Sequence, residues 1–323
     1  MRFFKKTIFW VIIMAVIGGL FYLMDRQVEE KKTLEEEKKK VFPFEPQDVN
    51  EFQIIRGGEN ILLRKEGDDW FMESPFRAVG DKNTVQKLLE GVVKAKIDGI
   101  LFENQPVDKL REMGITDSPT SLTLHLRTSS RILKTIVFGD RNPGMNLGFA
   151  ILKDDPRIFR LTADIKAEAD KTVFDLRDKA VMNFQPLKSK GFEIKWNGGE
   201  TITVDHPSEG KWHITRPAKG IANPNKITEI LYKIKESRIK AFIDEEPKDL
   251  SPYGLSNPRL KISIIDEHGK KIELLVGEKE KKQRGLFAKR EDAKNVFLLE
   301  EDFILPIPKS SAELEETRNA GQK

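Results

Sequence analysis

An internal repeat runs through most of this 323-residue chain. Residues 41–54 read VFPFEPQDVNEFQI and residues 181–194 read VMNFQPLKSKGFEI, so the Phe-x-Pro and Phe-x-Ile pairs of the two segments stand in register. The match continues in the same order, and residues 122–165 align with residues 260–303 without a gap. Each copy is much longer than the unit of a solenoid protein. The sequence therefore predicts two tandem domains, each with its own hydrophobic core.

Eight residues form the structural signature of the repeat. In each copy a Trp is followed five positions later by a Pro, one Gly follows a Met or Tyr in a turn, and another Gly interrupts a hydrophobic strand. They are Trp70, Pro75, Gly114 and Gly139 in the first copy and Trp212, Pro217, Gly254 and Gly277 in the second. Because side chains alternate along a strand, we expect both tryptophans to share the core face with Met72 and Ile214, and both prolines to end their strands.

Both copies also have the same predicted elements. A hairpin with a Gly-Gly turn leads to the Trp strand, then to one helix capped by Asp81 or Asn223, a short turn and four more strands. The helix in each copy has apolar residues at i, i+3, i+4 and i+7, and the strand at residues 122–126 alternates between Leu and polar residues. These patterns predict an α+β fold of antiparallel sheet plus helix, with one buried and one solvated sheet face.

The N-terminal segments differ from the repeat in composition. Residues 7–24 contain no charge and as a helix would extend about 27 Å, which predicts a transmembrane anchor over residues 1–24. A cleaved signal peptide is the alternative, but Phe21 to Met24 stand where its small-residue cleavage site would lie. Residues 25–42 predict a charged helical stalk with i,i+4 pairs Glu35–Lys39 and Glu36–Lys40.

The remaining boundaries follow from the repeat. We place the first α+β repeat at residues 43–165, a connector at 166–183, the second repeat at 184–307 and a disordered polar tail at 308–323. Basic residues flank the predicted span on both sides, so the positive-inside rule does not decide its orientation. We expect the N-terminus inside and the C-terminal body outside the cytoplasm.

Few residues in the chain suggest catalysis. The chain has no cysteine, which excludes disulfides, thiolate metal sites and thiol nucleophiles, and its net charge of +4 is too small for a nucleic-acid footprint. None of the four histidines, His125, His206, His213 and His268, has a histidine at the matching place in the other copy. P-loop and G-x-S-x-G motifs are absent, so Asp205-His206 has no recognisable nucleophile to complete a triad. We predict no enzyme activity, no metal and no cofactor.

Several loose motifs resemble a known bacterial family. They are the W-x-[MI]-x-x-P segments at Trp70 and Trp212, the Gly114–Pro119 and Gly254–Pro258 segments, the Leu176–Lys179 connector and the V-F-G-D and L-V-G-E turns. With the anchor and stalk they resemble the family called domain of unknown function 4340, over about residues 1–307. Members of that family look like envelope proteins whose genes often lie beside ABC-type exporter permeases and gliding-motility-like auxiliary subunits. The resemblance carries no catalytic residues.

The resemblance implies a non-catalytic accessory component of an ABC-transporter-associated envelope complex. Its location would be the inner membrane, and its partner a permease or auxiliary subunit that binds the groove between the copies or adds a strand to a sheet edge. A module that binds envelope glycan or lipid is one alternative and would need exposed aromatic residues on one face. A hydrolase with an unrecognised carboxylate site is the other, and would need two acids within reach in a cleft.

Overall fold

The computed structural model describes residues 35–116, 118–142, 144–207 and 211–316. Six isolated helical positions precede them: Met14, Phe21, Tyr22, Met24, Arg26 and Lys32. The chain divides into two compact units between Asp178 and Lys179. We call the part up to Asp178 unit 1 and the part from Lys179 unit 2.

Between residues 40 and 178, where the structure describes all but two positions, unit 1 contains a nine-stranded sheet and four α-helices. The strands are β1 (Val49–Arg56), β2 (Glu59–Glu66), β3 (Asp69–Ser74), β4 (Ala78–Val79), β5 (Gly99–Phe102), β6 (Leu122–Thr128), β7 (Leu133–Asn142), β8 (Leu147–Leu152) and β9 (Ile158–Thr162). The helices are α1 (Lys82–Val93), α2 (Val107–Glu112), α3 (Ala163–Ala169) and α4 (Val173–Leu176).

Unit 2 repeats this arrangement with one long helix. Its strands are β10 (Gly191–Trp196), β11 (Thr201–Asp205), β12 (His213–Arg216), β13 (Gly220–Ile221), β14 (Ala241–Asp244), β15 (Leu260–Ile265), β16 (Lys271–Glu280), β17 (Gly285–Arg290) and β18 (Val296–Glu300), and its helix is α5 (Pro224–Glu236). Single-turn 3₁₀ helices occur at Ser251–Tyr253 and Ser311–Glu313.

The two sheets have the same strand order. It is β4-β3-β2-β1-β6-β7-β8-β9-β5 in unit 1 and β13-β12-β11-β10-β15-β16-β17-β18-β14 in unit 2, with antiparallel pairing throughout. The register matches as well, because Phe52 pairs with Leu63 and Leu126, while Phe192 pairs with Val204 and Ile264. The prediction of two tandem copies with antiparallel sheet is therefore confirmed.

The fold is richer in sheet than the predicted α+β description. We predicted seven strands in each copy, and each sheet has nine. The four missed strands are β4 and β5 in unit 1 and β13 and β14 in unit 2, and each has only two to four residues. Strands this short show no readable alternation, so they form only because a longer neighbour supplies hydrogen-bonding partners.

Each sheet packs its long helix against one face. The predicted apolar stripes are buried: Val85, Leu88, Leu89, Val92 and Val93 in α1, and Ile227, Ile230, Leu231 and Ile234 in α5. The predicted caps also form, since the Asp81 carboxylate accepts from the Thr84 backbone N–H and Asn223 accepts from those of Asn225 and Lys226. Two separate hydrophobic cores result, one in each unit.

The opposite sheet face of unit 1 is also partly covered. Ile115, Val137, Ile151 and Ile158 form a second small core, against which residues of α2 and its flanks pack. The sheet face that we predicted to be solvated is therefore covered at β7, β8 and β9. Alternation along one strand could not reveal this cover, because it comes from a segment elsewhere in the chain.

The residues that end each copy form matching closing segments, which we define as residues 170–178 and 308–316. Thr172 and Asp175 form a capping box in the first, and Ser310 and Glu313 form one in the second. The next residue, Leu176 or Leu314, is buried in the core of its own unit. The prediction of a disordered tail from Pro308 is thus wrong through Glu316, because its polar composition hides one anchoring leucine.

Backbone hydrogen bonds join each closing segment to the start of the long helix. The N–H of Asp81 donates to Leu176 O, and the N–H of Asn223 donates to Leu314 O, both at 2.8 Å. Isolated β-bridges beside these bonds join Gly80 to Arg177 and Ala222 to Glu315. The predicted connector at residues 166–183 is therefore largely part of the first copy.

The backbone hydrogen bond at the start of each copy is also repeated. The N–H of Ile97 donates to Lys39 O and that of Ile239 donates to Lys179 O, both at 2.8 Å. Each copy thus begins a few residues before its predicted start at 43 or 184. The predicted stalk helix is described at residues 35–39, but its pairs are i,i+3, Glu36–Lys39 and Glu37–Lys40, instead of i,i+4.

The predicted transmembrane span lies largely outside the described residues, which include only four of its positions: Met14, Phe21, Tyr22 and Met24. Among the residues that the structure does describe, no helix is long and apolar enough to cross a membrane.

Candidate functional site

The Trp-Pro part of the signature serves the core. Trp70 is 6% exposed and its ring lies 5.4 Å from that of Phe52, while Trp212 is 7% exposed and lies 6.1 Å from Phe192. The prolines at 75 and 217 directly follow β3 and β12, and both are preceded by a cis peptide bond.

The four signature glycines form two close backbone crossings. Gly114 and Gly254 have positive φ angles of 63° and 67°. A Cβ on Gly139 would lie only 2.2 Å from Met113 O, and one on Gly277 only 2.1 Å from Tyr253 O. Each strand glycine therefore lets the turn that contains the other glycine pass against the sheet. The tryptophans and the glycines of the signature therefore have packing roles, and Trp70 also lines a cavity.

The four histidines occupy unrelated environments. His268 is exposed in the β15–β16 turn and His213 is half-buried on β12. On β6, the Nδ1 atom of His125 lies 2.7 Å from Thr135 Oγ1, and burial, with a smaller effect of Lys153, lowers the pKa of this imidazole. The ring of His206 stacks on Trp212, and its Nδ1 atom lies 3.2 Å from the backbone oxygen of Ser189.

Glu273 is the one buried carboxylate among the residues that the structure describes. Ser263 donates to it at 2.8 Å, and the ammonium groups of Lys261 and Lys271 lie within 3 Å. Burial alone would raise the pKa of Glu273, but hydrogen bonds from Lys271, Lys261 and Ser263 outweigh it and lower the pKa to about 2. A carboxylate held ionised in this way is a poor general acid and a weak base. Across residues 35–316, apart from the gaps given above, no cluster of His, Asp or Glu could hold a metal ion.

One cavity of about 220 Å³ lies in unit 1 between α1, the β2–β3 hairpin and the segment before β1. Its apolar surface comes from Val49, Trp70 and Leu89, and the charged side chains around it include Lys65 and Glu90. We call it the Trp70 cavity. The two units differ in chemistry at three of these five places, because unit 2 has Ser189, His206 and Tyr232 where unit 1 has Val49, Lys65 and Glu90, while Trp212 and Leu231 match Trp70 and Leu89.

Two further cavities lie elsewhere, one in each unit. One in unit 2, of about 420 Å³, is lined by Leu250, Lys289 and acidic residues of the β17–β18 loop. Burial lowers the pKa of Lys289, and its ammonium group donates to the carbonyl oxygens of Arg290 and Ala293. The other, about 220 Å³, lies beside His125 and Leu133 in unit 1.

The two edges of each sheet differ. The edge at β4 is covered by its closing segment, because Asp178 N–H donates to Val79 O, and Glu316 N–H donates to Ile221 O at the matching edge of unit 2. The opposite edge strand of unit 1, β5, pairs with β9 on one side, and no described strand pairs with its other side. Ile100 on β5 is 44% exposed. Strand edges of this kind are available for pairing with another polypeptide.

Comparison with known proteins identifies a family. The family model described as Domain of unknown function (DUF4340) matches residues 70–219 and again residues 212–319. The two matches begin at Trp70 and Trp212, which occupy the same position in the repeat. No curated protein and no solved structure matches the chain.

Proposed function

The chain belongs to the DUF4340 family, whose model matches well over half of its length, and on that basis we propose that it is a non-catalytic accessory component of an ABC-transporter-associated complex in the bacterial envelope. The observation that carries the proposal is the open β5 edge of unit 1, where a partner strand can pair. The covered edge at β4 leaves β5 as the place where unit 1 can extend its sheet.

Membrane anchoring is part of the proposal. The uncharged run at residues 7–24 has the length of a membrane-spanning helix, and basic residues precede it. With the N-terminus inside, this anchor holds the body on the extracytoplasmic side of the inner membrane. A permease or auxiliary subunit in the same membrane then meets the body at a high effective concentration.

A role as a binding partner agrees with the positions of the signature residues, the histidines and Glu273. The signature tryptophans lie in the cores of the two units. The histidines lie on separate elements, and His206 stacks on Trp212. The buried Glu273 is paired with two lysines and accepts a hydrogen bond from Ser263. A hydrolase would need two acids with different pKa values beside a substrate site, and Glu273 supplies only one acid with a strongly lowered pKa.

A glycan- or lipid-binding module is less well supported. Such a module needs exposed aromatic rings on one face, whereas Trp70 and Trp212 are buried. Trp196 is half-buried and donates its Nε1–H to Pro308 O at 2.7 Å. Trp10 lies outside the described residues.

Co-purification from native membranes in mild detergent tests the proposal. We expect the full chain to recover the permease, and Ile100→Lys on β5 to reduce recovery about tenfold, because a charged side chain on an edge strand opposes strand pairing. Val107→Lys is the matched control, since Val107 is 66% exposed in the same unit but lies on α2. Recovery of this chain alone, while the permease stays intact, would contradict the proposal.

A further inference from the structure

The surface around the repeated tryptophan differs in charge between the two units. Three charged residues line the Trp70 cavity in unit 1 at positions that can be matched in unit 2: Lys65, Lys82 and Glu90. Unit 2 has no Lys, Asp or Glu at these positions, where its residues are His206, Pro224 and Tyr232. The same part of the fold therefore presents a charged surface in unit 1 and a surface without these charges in unit 2.

Leu187 adds an exposed aliphatic side chain to this surface of unit 2. It is 63% exposed and stands where unit 1 has Gln47. Its 3₁₀ helix, Pro186–Lys188, packs against α5, which carries Tyr232, and Tyr232 is 39% exposed. The backbone N–H of His206 donates to Lys190 O at 2.7 Å, which holds His206 beside the same segment. We call Leu187, His206 and Tyr232 the Leu187 patch.

Lysines flank the Leu187 patch. The segment 185–190 reads QPLKSK and carries two lysines and no acid, whereas the matching segment 45–50 reads EPQDVN and carries two acids and no base. Lys188 and Lys190 are both exposed, and Lys188 lies 3.3 Å from Glu267. The chain around Glu267 reads DEHGKK, so its two acids are matched by two lysines. Unit 2 therefore combines exposed apolar side chains with a positively charged segment.

This combination of side chains fits an anionic lipid surface better than a protein surface. Lysine is depleted in protein–protein interfaces, whereas lysines near a membrane attract anionic lipids and tyrosine favours the level of the headgroups. An exposed leucine on a tight turn can enter the boundary of the acyl chains without any change in the fold. The uncharged run at residues 7–24, as a membrane anchor, would hold a bilayer beside the body.

We propose that the Leu187 patch rests on an anionic membrane surface, with Leu187 among the acyl chains and Lys188 and Lys190 on the lipid phosphates. Tyr232 then lies at the level of the headgroups. The contact orients unit 2 on the membrane and is not a pocket for a lipid molecule. It rests on the proposed membrane location of the body, but it requires no transporter partner.

A fluorescent label at residue 187 tests the contact. The chain has no cysteine, so Leu187→Cys in the full chain takes a single NBD fluorophore, and Gln47→Cys labels the matching place in unit 1. Each labelled chain is reconstituted into vesicles of phosphatidylcholine alone or of equal parts phosphatidylcholine and phosphatidylglycerol. We expect the emission of the label at 187 to shift to shorter wavelength in the anionic vesicles alone, because the label leaves water there. The label at 47 should not shift in either.

Flotation of the chain with the vesicles reports the N-terminal anchor separately. A chain that floats with both kinds of vesicle but shows no shift at 187 has an anchor and no contact at the Leu187 patch. A chain that does not float with phosphatidylcholine vesicles lacks the anchor, yet its label at 187 still reports the contact when anionic vesicles are added. Failure of the anchor and failure of the patch therefore give different results.

Charge reversal makes the result specific. Lys188→Glu combined with Lys190→Glu should remove the shift of the label at 187, because the reversed charges repel the anionic headgroups. The matched control is Lys281→Glu combined with Lys282→Glu, since these exposed lysines follow the opposite end of β16 from the DEHGKK turn, and it should keep the shift. Tyr232→Glu, which gives unit 2 the residue type of unit 1 at this place, should reduce the shift.

Three results in the vesicles would each overturn the proposal: equal emission of the label at 187 in both kinds of vesicle, the same shift at 47, or a shift that survives the reversal of Lys188 and Lys190. A shift in native membranes but in neither kind of vesicle would assign the Leu187 patch to a protein partner and would overturn it as well.

Discussion

Ser263 and Glu273 in unit 2 occupy the cross-strand positions that His125 and Thr135 occupy in unit 1. Both pairs are linked side chain to side chain, at 2.8 Å and 2.7 Å. The repeat therefore preserves a polar pair on the sheet at this position but not its chemistry. Only the pair in unit 2 carries a permanent charge, because two lysines hold Glu273 ionised.

The lowered pKa of Glu273 predicts acid-sensitive stability of unit 2. Its ordinary pKa of 4.5 falls to about 2 in the fold, so its contribution is complete above pH 4.5 and is lost as the pH falls towards 2. At about 1.4 kcal/mol for each pKa unit, the loss is on the order of 3 kcal/mol. Glu273→Gln should lower the free energy of unfolding at pH 7 and flatten its dependence on pH below 4.5.

Urea unfolding at several pH values, followed by a probe in unit 2, measures this effect. Glu229→Gln is the control, because Glu229 is exposed on α5, and it should change the free energy of unfolding by less than about 0.5 kcal/mol. An unchanged acid dependence in Glu273→Gln would show that this carboxylate is not stabilised by its neighbours.

The strand glycines predict another residue-scale effect. Gly139→Ala and Gly277→Ala should each destabilise their unit by about 2–3 kcal/mol or more, since the added Cβ collides with a backbone carbonyl oxygen that cannot rotate away. In Gly144→Ala, the nearest atom to the Cβ is 3.6 Å away, so this variant should be nearly neutral. Thermal unfolding of the three variants tests the prediction, and equal melting temperatures would contradict it.

At the level of elements, the closing segments explain where each copy ends. Residues 308–316 have the polar composition of a tail, yet they repeat the capping box, buried leucine and backbone bonds of residues 170–178. The segment docks because one leucine fills the core beside the start of the long helix. The two copies are therefore complete only with these segments.

Removal of the leucine side chain should destabilise the unit strongly. Leu314→Ala should cost unit 2 about 2–5 kcal/mol, and Leu176→Ala should cost unit 1 a similar amount, because each leaves a cavity in a packed core. Leu305→Ala is the control, since Leu305 is 79% exposed. Denaturant unfolding measures the changes. A loss no larger than that of the control would indicate that the closing segment does not contribute to the core.

Secondary elements were predictable where their patterns are long. The helices α1 and α5 have a cap and an apolar stripe over three turns, and both form as predicted. The strands β4, β5, β13 and β14 were missed, because two to four residues carry no periodic signal. The predicted i,i+4 pairs of the stalk are replaced by i,i+3 pairs.

For the whole molecule, the important fact is that each unit encloses its own core. A domain with its own core should fold by itself, so the fragment Lys179–Lys323 should unfold cooperatively when expressed alone. Circular dichroism and amide NMR test this: we expect a β-type spectrum with dispersed amide signals. A fragment with poorly dispersed signals would show that unit 2 needs the rest of the chain.

Self-comparison of the sequence and its local periodicity were enough to determine the duplication, the buried tryptophans, the helix caps and the predominantly antiparallel sheet. These features repeat at fixed spacing, and each depends on neighbours along the chain. The docking of the closing segments, the crossing of Gly114 with Gly139 and the contrast between the Trp70 cavity and the stacked His206 were decided by the tertiary structure. They depend on residues that lie far apart in sequence or across a turn, and such contacts leave no periodic pattern in the chain.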